Sequence, residues 1–329
     1  MGAEEPLLEI RNLKVRFNTY FGVVKAVDLD HLKLLEGETL GLVGETGCGK
    51  TVTALTVLKL IPSPGGNIEE GEILFKGENL LSKKEAEIRK IRGKRISMIF
   101  QDPMSSLNPV FTVGEQVSRI IALHQDLQEK EAKEKALRIF ELVGLPSPGR
   151  VFESYPHELS GGMRQRVMIS MAISCNPDLL IADEPTSALD VTIQAQILRL
   201  LKDLRDKIGA SIMLITHDLA VVAQICEKVA VMYAGNIVEF GAVEAIFSRP
   251  LHPYTKMLLE CSPGPGTRGR KLTAIHGFVP SLVNPPPGCR FHPRCPYVMD
   301  LCSKSRPGLV EFGDGHLASC FLYKQSGGA

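Results

Sequence analysis

The sequence predicts an α/β fold with a largely parallel sheet, and three observations support this prediction. Apolar runs typical of buried strands recur along the chain, helical periodicity separates several of them, and a glycine-rich segment lies between a strand and a helix. The strand-like runs are residues 7–17, 39–43, 96–100, 179–182, 211–215 and 229–233.

The composition is that of an ordinary globular protein. The chain has 329 residues, of which 44% are hydrophobic and 23% charged, enough for a full core in one large or two modest domains. A formal net charge of +1 lacks the basic excess that general nucleic-acid binding usually shows. No stretch approaches the roughly 18 apolar residues of a membrane-spanning helix, and the start does not resemble a secretory signal. We therefore expect a cytoplasmic chain with no nucleic-acid partner, which can dock on a membrane protein.

The glycine-rich segment, GETGCGKT at residues 44–51, separates the apolar run 39–43 from a helical pattern at residues 50–60. Glycines let the backbone curl so that several amide groups point at one anion, and the helix N-terminus behind them strengthens the site. Lys50 would add a positive charge near the β and γ phosphates of a nucleotide, and Thr51 a hydroxyl ligand for Mg²⁺. The predicted phosphate-binding residues are Gly44, Thr46, Gly47, Cys48, Gly49, Lys50 and Thr51.

Cys48 stands in this loop close to a helix N-terminus, a position that often lowers the pKa of a thiol. We therefore expect a reactive thiol. Its modification by a maleimide should stop nucleotide hydrolysis, and bound MgATP should protect the thiol from this modification.

Two carboxylates follow the apolar run 179–182. Asp183 is expected to emerge at the carboxyl end of a central strand, where it can hold the metal directly or through water. Glu184 lies one residue further along and can face the γ-phosphate, where a carboxylate polarises an attacking water. The pair predicts nucleotide hydrolysis.

Four further segments complete the pattern. They are LSGGM at residues 159–163, Gln101, SALD at residues 187–190, and His217 just after the apolar run 211–215. With the phosphate loop they resemble the nucleotide-binding subunits of ABC transporters, with Met163 where glutamine is more usual. The resemblance covers nearly the whole chain. It implies the P-loop NTPase fold of an ABC cassette: a mostly parallel sheet core, an antiparallel β subdomain and a helical subdomain.

The resemblance also implies the catalytic residues. These are Glu184, which activates water, with His217 and Gln101, which sense the γ-phosphate. The implied magnesium ligands are Thr51, Gln101 and Asp183.

For adenine, the resemblance implies Phe17 as the stacking aromatic. A phenylalanine that simply packs in the core is the plain alternative, since apolar strand residues usually do so. Tyr20 is the other candidate platform.

Ser160, Gly161 and Gly162 open a predicted helix at residues 162–175, and a glycine-led helix N-terminus suits an anion. The resemblance implies that two subunits stack head to tail, so that each ATP lies between one subunit's phosphate loop and the other's LSGGM segment. Asp190, in SALD, belongs to the implied nucleotide site. ATP would then hold the dimer together, and hydrolysis would release it.

Longer segments are similar to the dipeptide and oligopeptide importer branch. They are QDPMSSLNP at residues 101–109, YPHEL at 155–159 and HPYT at 252–255, together with a cysteine-containing tail. This branch implies a second, related ATPase subunit, two transmembrane permease subunits and an extracytoplasmic peptide-binding protein. The chain would lie peripherally on the cytoplasmic face of the membrane.

The tail carries Cys289, Cys295, Cys302 and Cys320. Four thiolates can bind tetrahedral zinc or an iron–sulfur cluster, and the spacing alone does not choose between them. Similar tails in the peptide-importer branch favour a [4Fe–4S] cluster, with zinc as the alternative and free thiols or disulfides as further ones. A small appendix with little core has reason to be held by a metal.

The predicted domains follow these features. Residues 1–101 and 161–250 form the ATPase core, 102–160 an inserted helical subdomain with helical patterns at 113–123 and 130–143, and 251–329 a C-terminal domain. Periodicity fades past about residue 248, and the segment SPGPG at 262–266 reads as a linker. The resulting prediction is a small, irregular, metal-binding appendix.

Two other functions remain open from the sequence. One is a soluble ABC-type ATPase that acts on ribosomes or DNA, although such proteins usually have two fused cassettes or a long coiled coil. The other is a redox-regulated regulatory subunit, which the complete catalytic motifs disfavour.

Overall fold

The computed structural model describes residues 5–187, 189–261 and 275–323. Two compact units divide the chain. Unit 1 is drawn from residues 1–82 and 214–329, and unit 2 from residues 83–213. The predicted linker at 262–266 lies outside the described residues.

The described strands are, in chain order, β1 (Leu8–Thr19), β2 (Gly22–Leu34), β3 (Thr39–Val43), β4 (Gly66–Phe75), β5 (Glu78–Asn79), β6 (Ile96–Ile99), β7 (Leu179–Asp183), β8 (Ser211–Thr216), β9 (Lys228–Tyr233), β10 (Asn236–Ala242), β11 (Val310–Glu311) and β12 (Leu317–Ala318). The described α-helices are α1 (Lys50–Val57), α2 (Glu85–Ile91), α3 (Pro103–Ser106), α4 (Val113–Gln125), α5 (Glu129–Leu142), α6 (Pro148–Phe152), α7 (Gly161–Ile173), α8 (Val191–Ile208), α9 (Leu219–Ile225), α10 (Val243–Ser248), α11 (Pro253–Cys261) and α12 (Asp300–Lys304).

Unit 1 contains an antiparallel sheet in the order β2-β1-β4-β5. Strand β1 buries alternate residues on each side of an irregularity between Arg11 and Lys14: Leu8 and Ile10 before it, Leu13 and Val15 after it. The run 7–17 predicted this strand, whereas β2 and β4 had no comparable apolar signal. Both are long and partly exposed, so their apolar residues are diluted by polar ones.

A second sheet of unit 1 places β3 beside β9, with which it pairs in parallel, and β10 antiparallel on the other side of β9. All five residues of β3 are buried, as expected for a strand covered on both faces. The predicted runs 39–43 and 229–233 correspond to β3 and β9. The mixed pairing explains why the sheet is only largely parallel.

Unit 2 joins a parallel pair, β6 and β7, to a group of helices. Helix α4 begins with a capping box in which Thr112 and Glu115 bond each other's backbone amides. Helices α4 and α5 correspond to the predicted patterns at 113–123 and 130–143. Strand β8 crosses the boundary between the two units.

The C-terminal residues extend unit 1. Strand β12 pairs antiparallel with β10, and β11 with β12. Buried Glu239 of β10 accepts hydrogen bonds from the backbone N–H groups of Leu251 and His252, at 2.7 and 2.8 Å, and contacts His316 Nε2 at 2.8 Å. The tail was expected to have little core, but its described residues share a buried polar and aromatic core with the rest of unit 1.

None of the described helices is both long and apolar enough to cross a membrane.

Candidate functional site

The phosphate loop lies in unit 1 between β3 and α1, as the sequence predicts. Gly47 and Gly49 have φ angles of 79° and 108°, which glycine adopts without strain. A side chain at Gly44 would place its Cβ only 2.1 Å from the backbone oxygen of Met232. The loop therefore depends on glycine for its curl and for its close approach to the neighbouring strand.

The side chain of Lys50 lies inside this loop and binds its backbone. The side chain is 6% exposed, and its ammonium donates to the carbonyl oxygens of Gly44, at 2.7 Å, and Glu45, at 3.1 Å. The loop thus surrounds a cation, which suits an anionic ligand. Thr51 and Thr46 are exposed beside it.

Cys48 corrects one prediction. The thiol is 1% exposed, and burial raises its pKa, with the positive charge of Lys50 offsetting this only in part. The expected low pKa is therefore wrong, because desolvation of the thiolate outweighs the helix N-terminus and the nearby cation. The expected reaction with a maleimide stays a prediction, which the burial of the thiol disfavours. The sulfur instead lies 3.8 Å from the Lys50 ammonium.

The carboxylate pair lies in unit 2. Strand β7 ends at buried Asp183, and Glu184 follows with a φ of 42°. This left-handed conformation is uncommon for a residue with a side chain and often marks a functional position. Gln101 Nε2 donates to Glu184 Oε2 at 3.1 Å, so the structure brings these two predicted catalytic residues together. Ser187 Oγ donates to the backbone oxygen of Glu184 at 3.0 Å, which helps to fix this turn.

The LSGGM segment forms the predicted helix start. Ser160 caps α7, since its hydroxyl accepts a hydrogen bond from the Met163 amide at 3.3 Å. A Cβ on Gly162 would lie 3.0 Å from Ile193 Cγ2 in α8. Glycine at this position therefore lets α7 approach α8 closely.

Asp190 caps α8 in the same way, accepting from the Ile193 amide at 2.9 Å. A Cβ on Gly161 would meet Leu189 at 3.7 Å, an ordinary contact. SALD and LSGGM therefore lie side by side within unit 2. Ala188 lies outside the described residues.

His217 and the adenine candidates belong to unit 1. His217 is exposed immediately after β8, and Asp218 beside it caps α9 through the Ala220 amide at 2.8 Å. Phe17 is half-buried in β1, opposite Gly66 of β4. Tyr20 is 98% exposed in the turn after β1. Both aromatic residues are thus available, and the choice between them stays a prediction.

The four tail cysteines line one small cavity together with Phe291 and His292. None of them forms a disulfide, and burial raises the pKa of Cys289 to about 11 and the pKa of Cys320 above its usual value. Among the described residues, however, no group of three or more His, Cys, Asp or Glu side chains has the arrangement of a metal site. The metal-binding appendix and its ligands, Cys289, Cys295, Cys302 and Cys320, are therefore not confirmed.

One set of contacts at the phosphate loop has no signal in the local sequence. Glu45 bonds Arg294 through its carboxylate and Tyr254 through its backbone amide. No local pattern could reveal this, because Arg294 is 249 residues away along the chain.

Two family profiles match the chain. Residues 27–187 match "ABC transporter", and residues 238–302 match "Oligopeptide/dipeptide transporter, C-terminal region". The second match contains three of the four tail cysteines.

Named relatives are similar over nearly their full length. The chain is 49% identical to the oligopeptide transport ATP-binding protein AppD of Bacillus subtilis, over 98% of both chains. It is 49% identical to the dipeptide transport ATP-binding protein DppD of the same organism, over 98% of this chain and 96% of the relative. The oligopeptide transport ATP-binding protein OppD of Escherichia coli is 48% identical over 96% of this chain and 93% of its own.

Solved structures support the fold. A dimeric ATP-binding cassette, solved in a post-hydrolysis state with ADP and Pi, superposes with a TM-score of 0.65 at 26% identity, covering 72% of this chain and 98% of that one. With these matches and the phosphate loop, carboxylate pair and LSGGM helix start in place, the chain belongs to the family of ABC transporter ATP-binding proteins that includes the oligopeptide and dipeptide transport ATPases.

Proposed function

We propose that this chain binds and hydrolyses ATP to power the import of short peptides across a membrane. The observation that supports this most is the pair of matches on one chain, the ABC transporter profile and the peptide-transporter C-terminal profile, joined by about 50% identity to named peptide-transport ATPases. The experiment is ATP-driven uptake of a labelled peptide by liposomes that contain the complete transporter.

In this proposal, each motif residue has a task. Lys50 binds the β and γ phosphates, with the amides of Gly44, Thr46, Gly47, Cys48 and Gly49 around it. Thr51, Gln101 and Asp183 hold Mg²⁺, Phe17 stacks on adenine, Glu184 polarises water, and Gln101 and His217 sense the γ-phosphate. The catalytic roles are supported by the hydrogen bond from Gln101 to Glu184, at 3.1 Å. Through this bond, a movement of Gln101 can change the position of the general base.

We further propose that Ser160, Gly161, Gly162 and Asp190 act on the nucleotide of a second subunit. The capped start of α7 presents backbone amides that suit a phosphate, as its glycines leave them open. A related but different chain as the second ATPase subunit is the arrangement that we expect.

The remaining partners are two permease subunits in the membrane and an extracytoplasmic peptide-binding protein that delivers substrate to them. The chain itself would lie on the cytoplasmic face of the membrane and contact no peptide. In this scheme residues 1–101 and 161–250 act as the ATPase core, 102–160 as the helical subdomain that contacts a permease, and 251–329 as a C-terminal domain.

We also propose that the tail cysteines hold a [4Fe–4S] cluster, with zinc as the alternative. The support is that all four cysteines line one cavity. Burial raises the pKa of Cys289 and of Cys320, which favours the neutral thiols when no metal is bound. A bound metal would bring them to the thiolate form and could hold this part of the tail together.

Elemental analysis of anaerobically purified protein tests this proposal. We expect about four iron atoms and matching sulfide per chain, with a brown colour. Cys302→Ser should lose the iron, whereas Cys175→Ser, outside the cavity, should keep it. Zinc without iron would support the alternative, and neither metal in freshly purified protein would overturn both.

A further inference from the structure

An acidic residue stands inside the phosphate loop. Glu45 follows Gly44 directly, and its carbonyl oxygen accepts from the Lys50 ammonium at 3.1 Å. A carboxylate here would repel the phosphates that the loop is built to bind, unless it is neutralised and held aside. The loop therefore requires a partner for Glu45.

Arg294 is that partner. Its two terminal nitrogens donate to both carboxylate oxygens of Glu45, Nη1 to Oε2 at 2.7 Å and Nη2 to Oε1 at 3.1 Å. The Arg294 side chain is 5% exposed and that of Glu45 26%. A bidentate pair of this kind fixes orientation as well as distance, and its burial limits screening by salt.

Arg294 is itself held in place on its other side. Its Nε donates to the backbone oxygen of His276 at 2.9 Å, and Nη1 also contacts the Tyr233 hydroxyl at 3.3 Å. The residue lies directly before Cys295, in the segment between Cys289 and Cys295. Its position is therefore set by the fold of the cysteine-bearing tail.

A second contact holds Glu45 through its backbone. The backbone N–H of Glu45 donates to the hydroxyl of buried Tyr254 at 2.9 Å. Tyr254 packs on Tyr233 and on Phe291 of the tail, with ring centroids 4.6 and 5.4 Å apart. Glu45 is thus anchored through its backbone and its side chain by residues far along the chain.

We propose that Arg294 is a positioning residue of the nucleotide site, which neutralises and orients Glu45 so that the phosphate loop can accept MgATP. It acts through Glu45 and does not touch the nucleotide. The proposal rests on the nucleotide-binding role of the loop, and it gives the cysteine-bearing tail a task in ATP binding.

The test compares equilibrium MgATP binding to purified full-length variants. In Arg294→Met the carboxylate loses its counterion, and we expect the Kd for MgATP to rise by about 10- to 50-fold, the size of a lost charge-assisted hydrogen-bonded pair. We expect KM to rise with it while kcat stays within about threefold, since Glu184 is untouched. Arg306→Met is the matched control, because Arg306 pairs with Asp28 and Asp30 and does not contact the loop.

The decisive variant combines two changes. In Glu45→Gln the uncompensated charge is gone, so adding Arg294→Met there should change the Kd by no more than about threefold. An equal loss of affinity with and without Glu45→Gln would mean that Arg294 only supports the fold, and would overturn the proposal. An unchanged Kd in Arg294→Met would overturn it too.

Two safeguards keep the test decisive. If Arg294→Met fails to fold, Arg294→Lys replaces it, with a smaller loss of affinity expected in the wild-type background and none in Glu45→Gln. If the wild-type chain binds no MgATP, the nucleotide-binding role itself fails, which is distinct from failure of this proposal.

Discussion

Replacing Glu184 with glutamine is expected to lower the steady-state rate of ATP hydrolysis by about 10²- to 10⁴-fold, the contribution typical of a general base. Glutamine keeps the size of the side chain and can keep the hydrogen bond to Gln101, but it cannot accept a proton from water. MgATP binding should persist, because Glu184 is not one of the phosphate-binding residues. Nucleotide would then stay bound, and two subunits should remain associated.

Phosphate release, equilibrium MgATP binding and size-exclusion chromatography in MgATP measure these three outcomes. Glu134→Gln is the matched control, since Glu134 is an exposed carboxylate of unit 2 that forms only a loose ion pair with Arg138, at 3.9 Å. It should hydrolyse ATP at the wild-type rate. Wild-type turnover in Glu184→Gln would contradict the assignment of the general base.

Replacing Lys50 with methionine is expected to weaken MgATP binding by about 100-fold or more, since charge-assisted hydrogen bonds to phosphate are lost with the cation. The change also leaves the carbonyl oxygens of Gly44 and Glu45 without the donor that draws them around the loop. Hydrolysis should fall in parallel because the site stays empty.

Fluorescent-nucleotide binding measures the loss, with thermal unfolding as a check on the fold. Lys59→Met is the matched control. Lys59 follows α1 in the same unit, and its ammonium donates to the backbone oxygen of Leu81, at 3.1 Å. Near-normal affinity in Lys50→Met, with the fold intact, would contradict the role given to the lysine.

Most of the strands that could be predicted from the sequence are buried on both faces of the sheet. Strand β3 is five buried residues that end at a glycine, so its apolar run 39–43 gives both its type and its bounds. Strands β2 and β4 are partly exposed, and their polar residues hide them from such a pattern. Helix α7 begins one residue before its predicted start, because Ser160 rather than Gly161 is the cap.

In the candidate site, local features could likewise be predicted from the sequence and long-range contacts could not. Backbone motifs such as the phosphate loop and the LSGGM helix start are local, so their residues could be named from the sequence. The Cys48 pKa was predicted with the wrong sign, because its burial depends on strands distant in sequence. The contact between Glu45 and Arg294 also joins residues far apart in the sequence, so the phosphate-loop motif could not predict it.

The tail shows both outcomes. Close spacing predicted that Cys289, Cys295, Cys302 and Cys320 would gather, and they do line one cavity. Spacing could not predict the pairing of β12 with β10 or the buried contact between Glu239 and His316, which tie the tail to unit 1. These contacts depend on the shape of the fold and on buried polar side chains rather than on periodicity.

Uptake of a labelled short peptide tests most directly whether ATP hydrolysis by this chain drives peptide import. The chain, its permease and ATPase partners and the peptide-binding protein would be reconstituted in liposomes, with MgATP supplied to the side that carries the ATPase subunits. We expect the peptide to accumulate only with hydrolysable ATP, a free amino acid or sugar not to accumulate, and Glu184→Gln to lose accumulation while Glu134→Gln retains it. ATP hydrolysis without peptide uptake by the complete system, or uptake that is indifferent to Glu184→Gln, would contradict the claim.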